Sequence, residues 1–200
     1  MKKIIIALTF LLTTPLMAAE GGIYGGVSYG SSTVDTGITG LTGTASLDED
    51  GTGYKLFIGK KVSKTLSIEG FYADFGEATL TGNTGDQFVL GGSTFQFLVN
   101  NATLAISATG VGANANFTHN FTDKSSIIGR LGLLSWSGTV SVTGSNVTGG
   151  SYTTSGSDIF YGIGYQHNFT KKVGLVIDYD FFTMDDLDIN TLSLGVKVKF

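Results

Sequence analysis

The stretch DIFYGIGYQHNFTKKVGLVIDYDFF, residues 158–182, decides how the chain is read. Its first limb sets Ile159, Tyr161, Ile163 and Tyr165 against Phe160, Gly162, Gly164 and Gln166. Its second limb sets Val173, Leu175, Ile177, Tyr179 and Phe181 against Gly174, Val176, Asp178 and Asp180. A period of two on both sides of Thr170–Lys172 describes a strand, a short turn and a strand. Each limb is about ten residues, the length at which a tilted strand crosses a bilayer. If the apolar face were a soluble core, the opposite face should be rich in lysine and glutamate. It holds glycines, amides and a few charges instead, and only 14% of the whole chain is charged, against about 25% for soluble proteins. The apolar face therefore meets lipid and the other lines a lumen.

The same alternation recurs outward from this hairpin. TLSLGVKVKF (191–200) places Leu192, Leu194, Val196, Val198 and Phe200 on one face, with Gly195, Lys197 and Lys199 on the other. Strands are expected roughly at 22–32, 53–62, 66–75, 104–117, 126–136, 158–169, 173–182 and 191–200. Short connections fall near 63–65, 118–125 and 170–172, and longer ones at 33–52, 76–103, 137–157 and 183–190. Sorting connections by length to opposite sides is the pattern of an up-and-down transmembrane barrel, and an even count closes it without an open edge. The fold class is all-β: an antiparallel eight-stranded β-barrel over 20–200. The apolar segment 86–107 could hold a further hairpin, so ten strands is the alternative. Gln87–Leu90 is too short to cross the apolar band, and the segment is read as strands three and four rising above the membrane.

The N-terminus, MKKIIIALTFLLTTPLMAAE, has a lysine pair, an apolar run and a small-residue exit at Ala18-Ala19. It reads as a signal peptide over 1–19 with cleavage near Ala18 or Ala19, so the chain is exported. The chain has no cysteine, and its formal charge is −4. No disulfide can hold it, and no basic patch suggests nucleic acid. The acidic stretches LDEDGTG (47–53) and MDDLDIN (184–190) read as solvated loops; the first lacks the spacing of an EF-hand. No metal or cofactor is expected.

Within the lumen, Glu69, Arg130, Asp178 and Lys197 lie three to five residues from the short-turn ends of their strands. At about 2.4 Å of climb per residue they sit roughly 7–12 Å up, with Lys55 further along strand two. Their alternating signs point to an ionic belt, completed by Gln166 and Asn114, that plugs the lumen. The chain's two histidines occur in a repeat, THNFTDK (118–124) and QHNFTKK (166–172). Parity turns His119 and His167 outward at the membrane boundary. There they join Phe117, Phe121, Phe169 and Phe200 in an aromatic girdle, with Trp136 assigned to the girdle at the other end of strand five. The repeat is an architectural corner rather than a catalytic motif.

Through SIEGFYADFG (67–76), YGIGYQHNFTKKVGLVIDYDFF (161–182) and LSLGVKVKF (192–200), the chain resembles the small OmpA-like and opacity-type outer-membrane barrels. The resemblance implies that Leu194, Val196, Val198 and the terminal Phe200 form the signal read by the outer-membrane assembly machinery. It also implies that the inward charges match the interior ionic network of OmpA-type barrels. Set beside full-length OmpA, the barrel alone is expected, without a peptidoglycan-binding domain. The function expected is a non-enzymatic surface barrel in contact with outer-membrane lipid and lipopolysaccharide. Its Thr-, Gly- and Ser-rich loops would serve envelope integrity or contact with a host, phage or other partner. A small-solute pore is the alternative. A lipid-modifying enzyme is disfavoured, because both histidines face lipid at the short-turn rim with Thr118 and Thr170 merely adjacent in sequence.

Overall fold

The structure is a computed structural model that describes residues 22–146, 149–185 and 187–200. The proposed signal peptide lies outside the described residues. Strands β1 (Ile23–Asp35), β3 (Asp50–Lys61), β4 (Leu66–Gly82), β7 (Ala102–Asn120), β8 (Ser125–Thr143), β9 (Gly150–Asn168), β10 (Val173–Met184) and β11 (Leu187–Lys199) carry the barrel. Each pairs antiparallel with its sequence neighbour in this series, and β1 also pairs with β11, so the eight close into a ring. The seam is finished by the Phe200 N–H, which donates to the Ile23 carbonyl at 2.9 Å. Within the ring each strand is flanked on both sides, the condition for backbone inside lipid; the protruding part of β9, residues 150–159, has a neighbour on one side alone.

Side chains alternate as the period-two reading requires. Ile58, Leu133, Ile159, Tyr161 and Leu192 point outward and are exposed, while Phe57, Leu134, Phe160 and Val176 on alternating positions are buried inside. Hydrophobic residues that face a solvent other than water are the mark of a lipid-facing surface.

The three short connections are one device built three times. Ser63, Thr122 and Thr170 each accept, through the side-chain hydroxyl, the N–H groups of the residues two and three further on, at 2.9–3.2 Å. Such hydroxyl turns hold the backbone without glycine. The HNFT repeat is two copies of this corner, and Val62–Thr65 is a third that lacks the histidine.

The long-connection end departs from expectation. Residues 137–157 are expected as a loop, but β8 and β9 stay paired from Ser137↔Ser155 to Val142↔Gly150, so most of that segment is a protruding hairpin. The expected loop at 183–190 shrinks to a tight reversal after Met184↔Leu187, with Asp185 at φ 53°. Hydroxyl-rich strands pair where β-branched residues lie opposite one another; Thr139 and Thr153 meet at 3.2 Å.

Segment 86–107 contains both things the sequence left open. β4 and β7 rise above the ring, and between them β5 (Gln87–Leu90) and β6 (Ser93–Gln96) form a separate two-stranded hairpin that does not enter the barrel. Its turn is Gly91-Gly92, with φ of 58° and 78°, the two left-handed positions a two-residue hairpin of this hand demands. β2 (Ser46–Asp48) pairs with β4 above a bulge between Asp74 and Glu77. At the bulge Gly76 has φ 75°, and a Cβ there would stand 2.6 Å from the Thr52 carbonyl oxygen. The inserted residue flips parity, so Ala78 and Leu80 stay on the inner face in place of Glu77 and Thr79.

Candidate functional site

The lumen is the candidate site, and it is filled from the short-turn end upward. Lowest is a polar net. The Tyr24 hydroxyl donates to Ser67 at 3.1 Å, Asn116 donates to Tyr24 and to Glu69 at 3.2 Å each, and Asn114 donates to Asn116 at 2.6 Å. Lys197 donates to the Gln166 side chain at 3.1 Å, and its ammonium lies 3.7 Å from the centre of the Tyr24 ring. Stacking a cation on that ring face is favourable where water is excluded.

Above this lies an ionic quartet. Lys55 donates to Asp180 at 2.6 Å and is 3.5 Å from Asp178; Arg130 donates to Asp178 at 2.5 Å and to Asp180 at 3.3 Å. All four are buried, and their formal charges cancel. Balance matters, because an unpaired charge in a lipid-enclosed lumen carries the full desolvation cost.

The structure brings Lys55, Arg130 and Asp178 of the expected belt together with Asp180, which the expected belt lacks and which shares Asp178's parity two residues on. Glu69 and Lys197 are inside yet bind neutral partners one tier lower, so the expected single belt is two layers. The strands are staggered as they wrap the barrel, so equal distance from a turn does not mean equal height.

Next comes an aromatic floor that a glycine-rich lumen did not suggest. Phe71 meets Phe160 at 5.2 Å between ring centres, Phe160 meets Phe182 at 4.8 Å, and Phe182 meets Phe75 at 4.8 Å. Trp136 belongs here as well, only 5% exposed, with its indole N–H donating to Asp158 at 2.7 Å. It is not a girdle residue: it shares Arg130's parity, and even-numbered positions of β8 face inward. Phe117, Phe121, Phe169 and Phe200 are exposed on the outside.

The lumen glycines make room for these bulky groups. Directly across the ladder, Gly26 opposes Phe57, Gly59 opposes Tyr24, Gly112 opposes Phe71, Gly132 opposes Phe160 and Gly156 opposes Trp136. Gly162 opposes Asp180 and Gly164 opposes Asp178 in the same way. A Cβ at Gly156 would stand 2.6 Å from the indole, and one at Gly132 would stand 2.5 Å from both Phe160 and the Ala113 carbonyl oxygen. In so narrow a barrel a large inward side chain must lean over its cross-strand neighbour, and only glycine leaves the space.

Beyond the aromatic floor is the mouth. A chamber of about 180 Å³ lies between Phe75 and Trp136 below and Met184, Asp185 and Leu187 above. To one side the long connections build a cap with its own core of Ile38, Leu80, Phe97 and Ala102, flanked by Leu47, Phe88 and Leu104. Thr39 and Val89 bridge the two connections, exchanging N–H···O bonds of 2.9 and 2.7 Å. Asp86 ties the same connections, accepting from the Thr44 hydroxyl at 2.6 Å and the Asn83 N–H at 2.9 Å. Those bonds, Thr44's foremost, hold its carboxyl below the usual aspartate range.

Charge is segregated between the ends. Lys60, Lys61, Lys64, Lys124, Lys171, Lys172 and Lys199 all sit at the short-turn end, with Asp123 the acid in its turns. The cap and mouth carry Asp35, Asp48, Glu49, Asp50, Glu77, Asp86, Asp185 and Asp188, with no lysine or arginine among the described residues. At the short-turn rim, His167 Nδ1 lies 2.9 Å from the Ser125 hydroxyl, which is also 3.2 Å from the Tyr165 hydroxyl. Among the described residues no carboxylate is hydrogen-bonded to this pair, and His119 stands exposed.

The family model of the outer membrane protein beta-barrel domain matches residues 4–200. A crystal structure of Ail, the attachment invasion locus protein of Yersinia pestis, superposes with a TM-score of 0.56 at 18% identity, covering 90% of this chain and 99% of that one. Ail in complex with the heparin analogue sucrose octasulfate gives 0.54 at 17% identity, over 90% and 99% of the two chains. Neisserial surface protein A gives 0.51 at 13% identity, over 91% and 98%. At these identities the likeness is one of fold. Among curated proteins no sequence matches the chain significantly.

Proposed function

The chain belongs to the outer membrane protein β-barrel family, and from that premise we propose that it is a non-enzymatic, non-conducting scaffold presenting a folded acidic cap for contact with a surface partner. The barrel stands in the bacterial outer membrane with its short turns toward the periplasm and the cap outside. The cap's own hydrophobic core carries the reading: Ile38, Leu80, Phe97 and Ala102 fix two long connections into one shape. A connection that only joins strands needs no core; a prebuilt surface lowers the ordering cost of binding. The quartet and aromatic floor support the sealed lumen.

Ail, which has a similar barrel, is by name an attachment protein, and one structure holds a polysulfated sugar. The acidic cap here disfavours a polyanion, and the partner chemistry it suits is neutral or cationic. Toward the membrane, Leu194, Val196 and Phe200 line the outside of the closing strand, and with Val198 they suit recognition by the assembly machinery. The exposed belt fits lipid and the acyl chains of lipopolysaccharide.

The test replaces residues 87–96 with a glycine–serine linker and assays two things. Cells displaying the intact chain should bind cationic or neutral surfaces and lose that binding with the replacement, while unboiled-gel migration shows the barrel still assembled. Equal binding by both chains removes the display reading. A stable, large conductance of the intact chain in planar bilayers removes the sealed one.

A further inference from the structure

We propose that the chamber at the mouth is a binding site for a small uncharged hydrophobic molecule, a single aromatic ring or an alkyl group of similar volume. Its volume is about 180 Å³. An engineered apolar hollow of roughly 150 Å³ stays dry and takes up benzene, so one ring with a small substituent fits. The walls come from separate strands: Val34 of β1, Phe75 of β4, Ala108 of β7, Trp136 of β8, Met184 of β10 and Ile189 of β11. All six are buried. Water inside would find few polar partners, and an empty chamber forfeits dispersion contacts along its lining; an apolar guest restores them.

The glycine rule of the lumen marks the chamber as a built space. Seven inward glycines are filled by the bulky group across the ladder, and the small pair Gly30↔Gly53 is closed by backbone, with the Leu192 and Asp74 carbonyl oxygens 2.0 and 2.4 Å from where a Cβ would stand. At the chamber the pair is Ala108↔Gly138, small against small. A Cβ on Gly138 would find its nearest neighbours at 3.6–3.9 Å, ordinary contact distance, so nothing in the fold requires glycine there. This lumen position has room that no side chain takes.

Two further features set the ligand class. Asp185 stands at the lip within the acidic mouth, which repels an anionic head group. Below, the Phe75–Phe182–Phe160 floor and the ionic quartet close the path, so a guest enters and leaves by the mouth. The proposal stands independently of any partner of the cap.

Trp136 is the chain's one tryptophan and forms a wall of the chamber, so its emission reports occupancy. The whole mature chain in lipid nanodiscs is titrated with toluene. The expected result is a saturable change in Trp136 emission, with octanoate at least tenfold weaker. Gly138→Leu and, separately, Ala108→Leu fill the chamber, and either variant that migrates as a folded barrel should lose the saturable phase. A linear, unsaturable response that is the same in the natural chain and in a folded variant is partition into lipid and overturns the proposal. So does octanoate binding as tightly as toluene.

Discussion

Neutralising Arg130 probes the lumen most directly. Its guanidinium reaches Asp178 at 2.5 Å and Asp180 at 3.3 Å, while Lys55 reaches the same carboxylates at 3.5 and 2.6 Å. Arg130→Met keeps much of the length and removes the charge, leaving two carboxylates to share one lysine. At 3 Å and an effective dielectric of about 20, each lost contact amounts to roughly 5 kcal/mol of attraction, partly offset because the guanidinium no longer loses its hydration. The deficit also has a ceiling. Protonating one orphaned carboxyl at neutral pH, about three units above its ordinary value, costs roughly 4 kcal/mol and relieves the imbalance. Breaking a buried pair costs about 3–5 kcal/mol elsewhere, in line with that limit. The expected loss in Arg130→Met is therefore about 3–4 kcal/mol, read by urea unfolding of the barrel in liposomes with gel mobility as the folded-state signal. Removing Asp178 as well, as Asp178→Asn, leaves Lys55 and Asp180 as a matched pair at 2.6 Å. The double variant should fall short of the summed single losses by about 1–3 kcal/mol. A loss below roughly 0.5 kcal/mol in Arg130→Met, or strict additivity, would show that water screens the four groups and that they close nothing.

Three further outcomes follow from the same geometry. Gly132→Val drives a side chain into Phe160 and the Ala113 carbonyl and should cost about 1–3 kcal/mol, whereas Gly129→Ala, with nothing within 4 Å of its new methyl, should unfold at the natural urea concentration; equal losses would contradict the cross-strand filling rule. Trp136 should be poorly quenched by brominated lipid chains, and strong quenching would return it to the girdle. Asp86 is depressed in the folded cap, so its contribution is complete above the ordinary aspartate value of about 4 and is lost as pH falls through the lowered one. Protease cutting within 36–49 and 83–101 should therefore rise only in strong acid and appear near neutrality in Asp86→Ala; indifference of both chains to acid would remove Asp86 as the tie.

The alternation of Ile159 to Tyr165 and of Val173 to Phe181 exposes the strands and the lipid-facing stripe, though not how far β8 and β9 run on above it, because a period of two is a local property that one strand displays without its neighbours. The inward direction of Arg130, Asp178 and Lys197 follows from the same local rule, while the even strand count and the three short connections point to closure. Parity also carried Asp180 and the inward Trp136, and both were legible in principle. What no single strand contains is register. Whether Gly132 faces Phe160, whether Lys55 reaches Asp180 across the lumen, and whether Ala108 meets Gly138 to leave a hollow depend on how far each strand slides along the next. That slide is set by the whole ring closing at once. The cap lies further still from the sequence, since the contact of Ile38 with Leu80 and Phe97 joins segments whose own patterns are hydroxyl-rich and weakly periodic. Local chemistry told each strand which way to face; only the closed ring decided which side chains would meet in the middle.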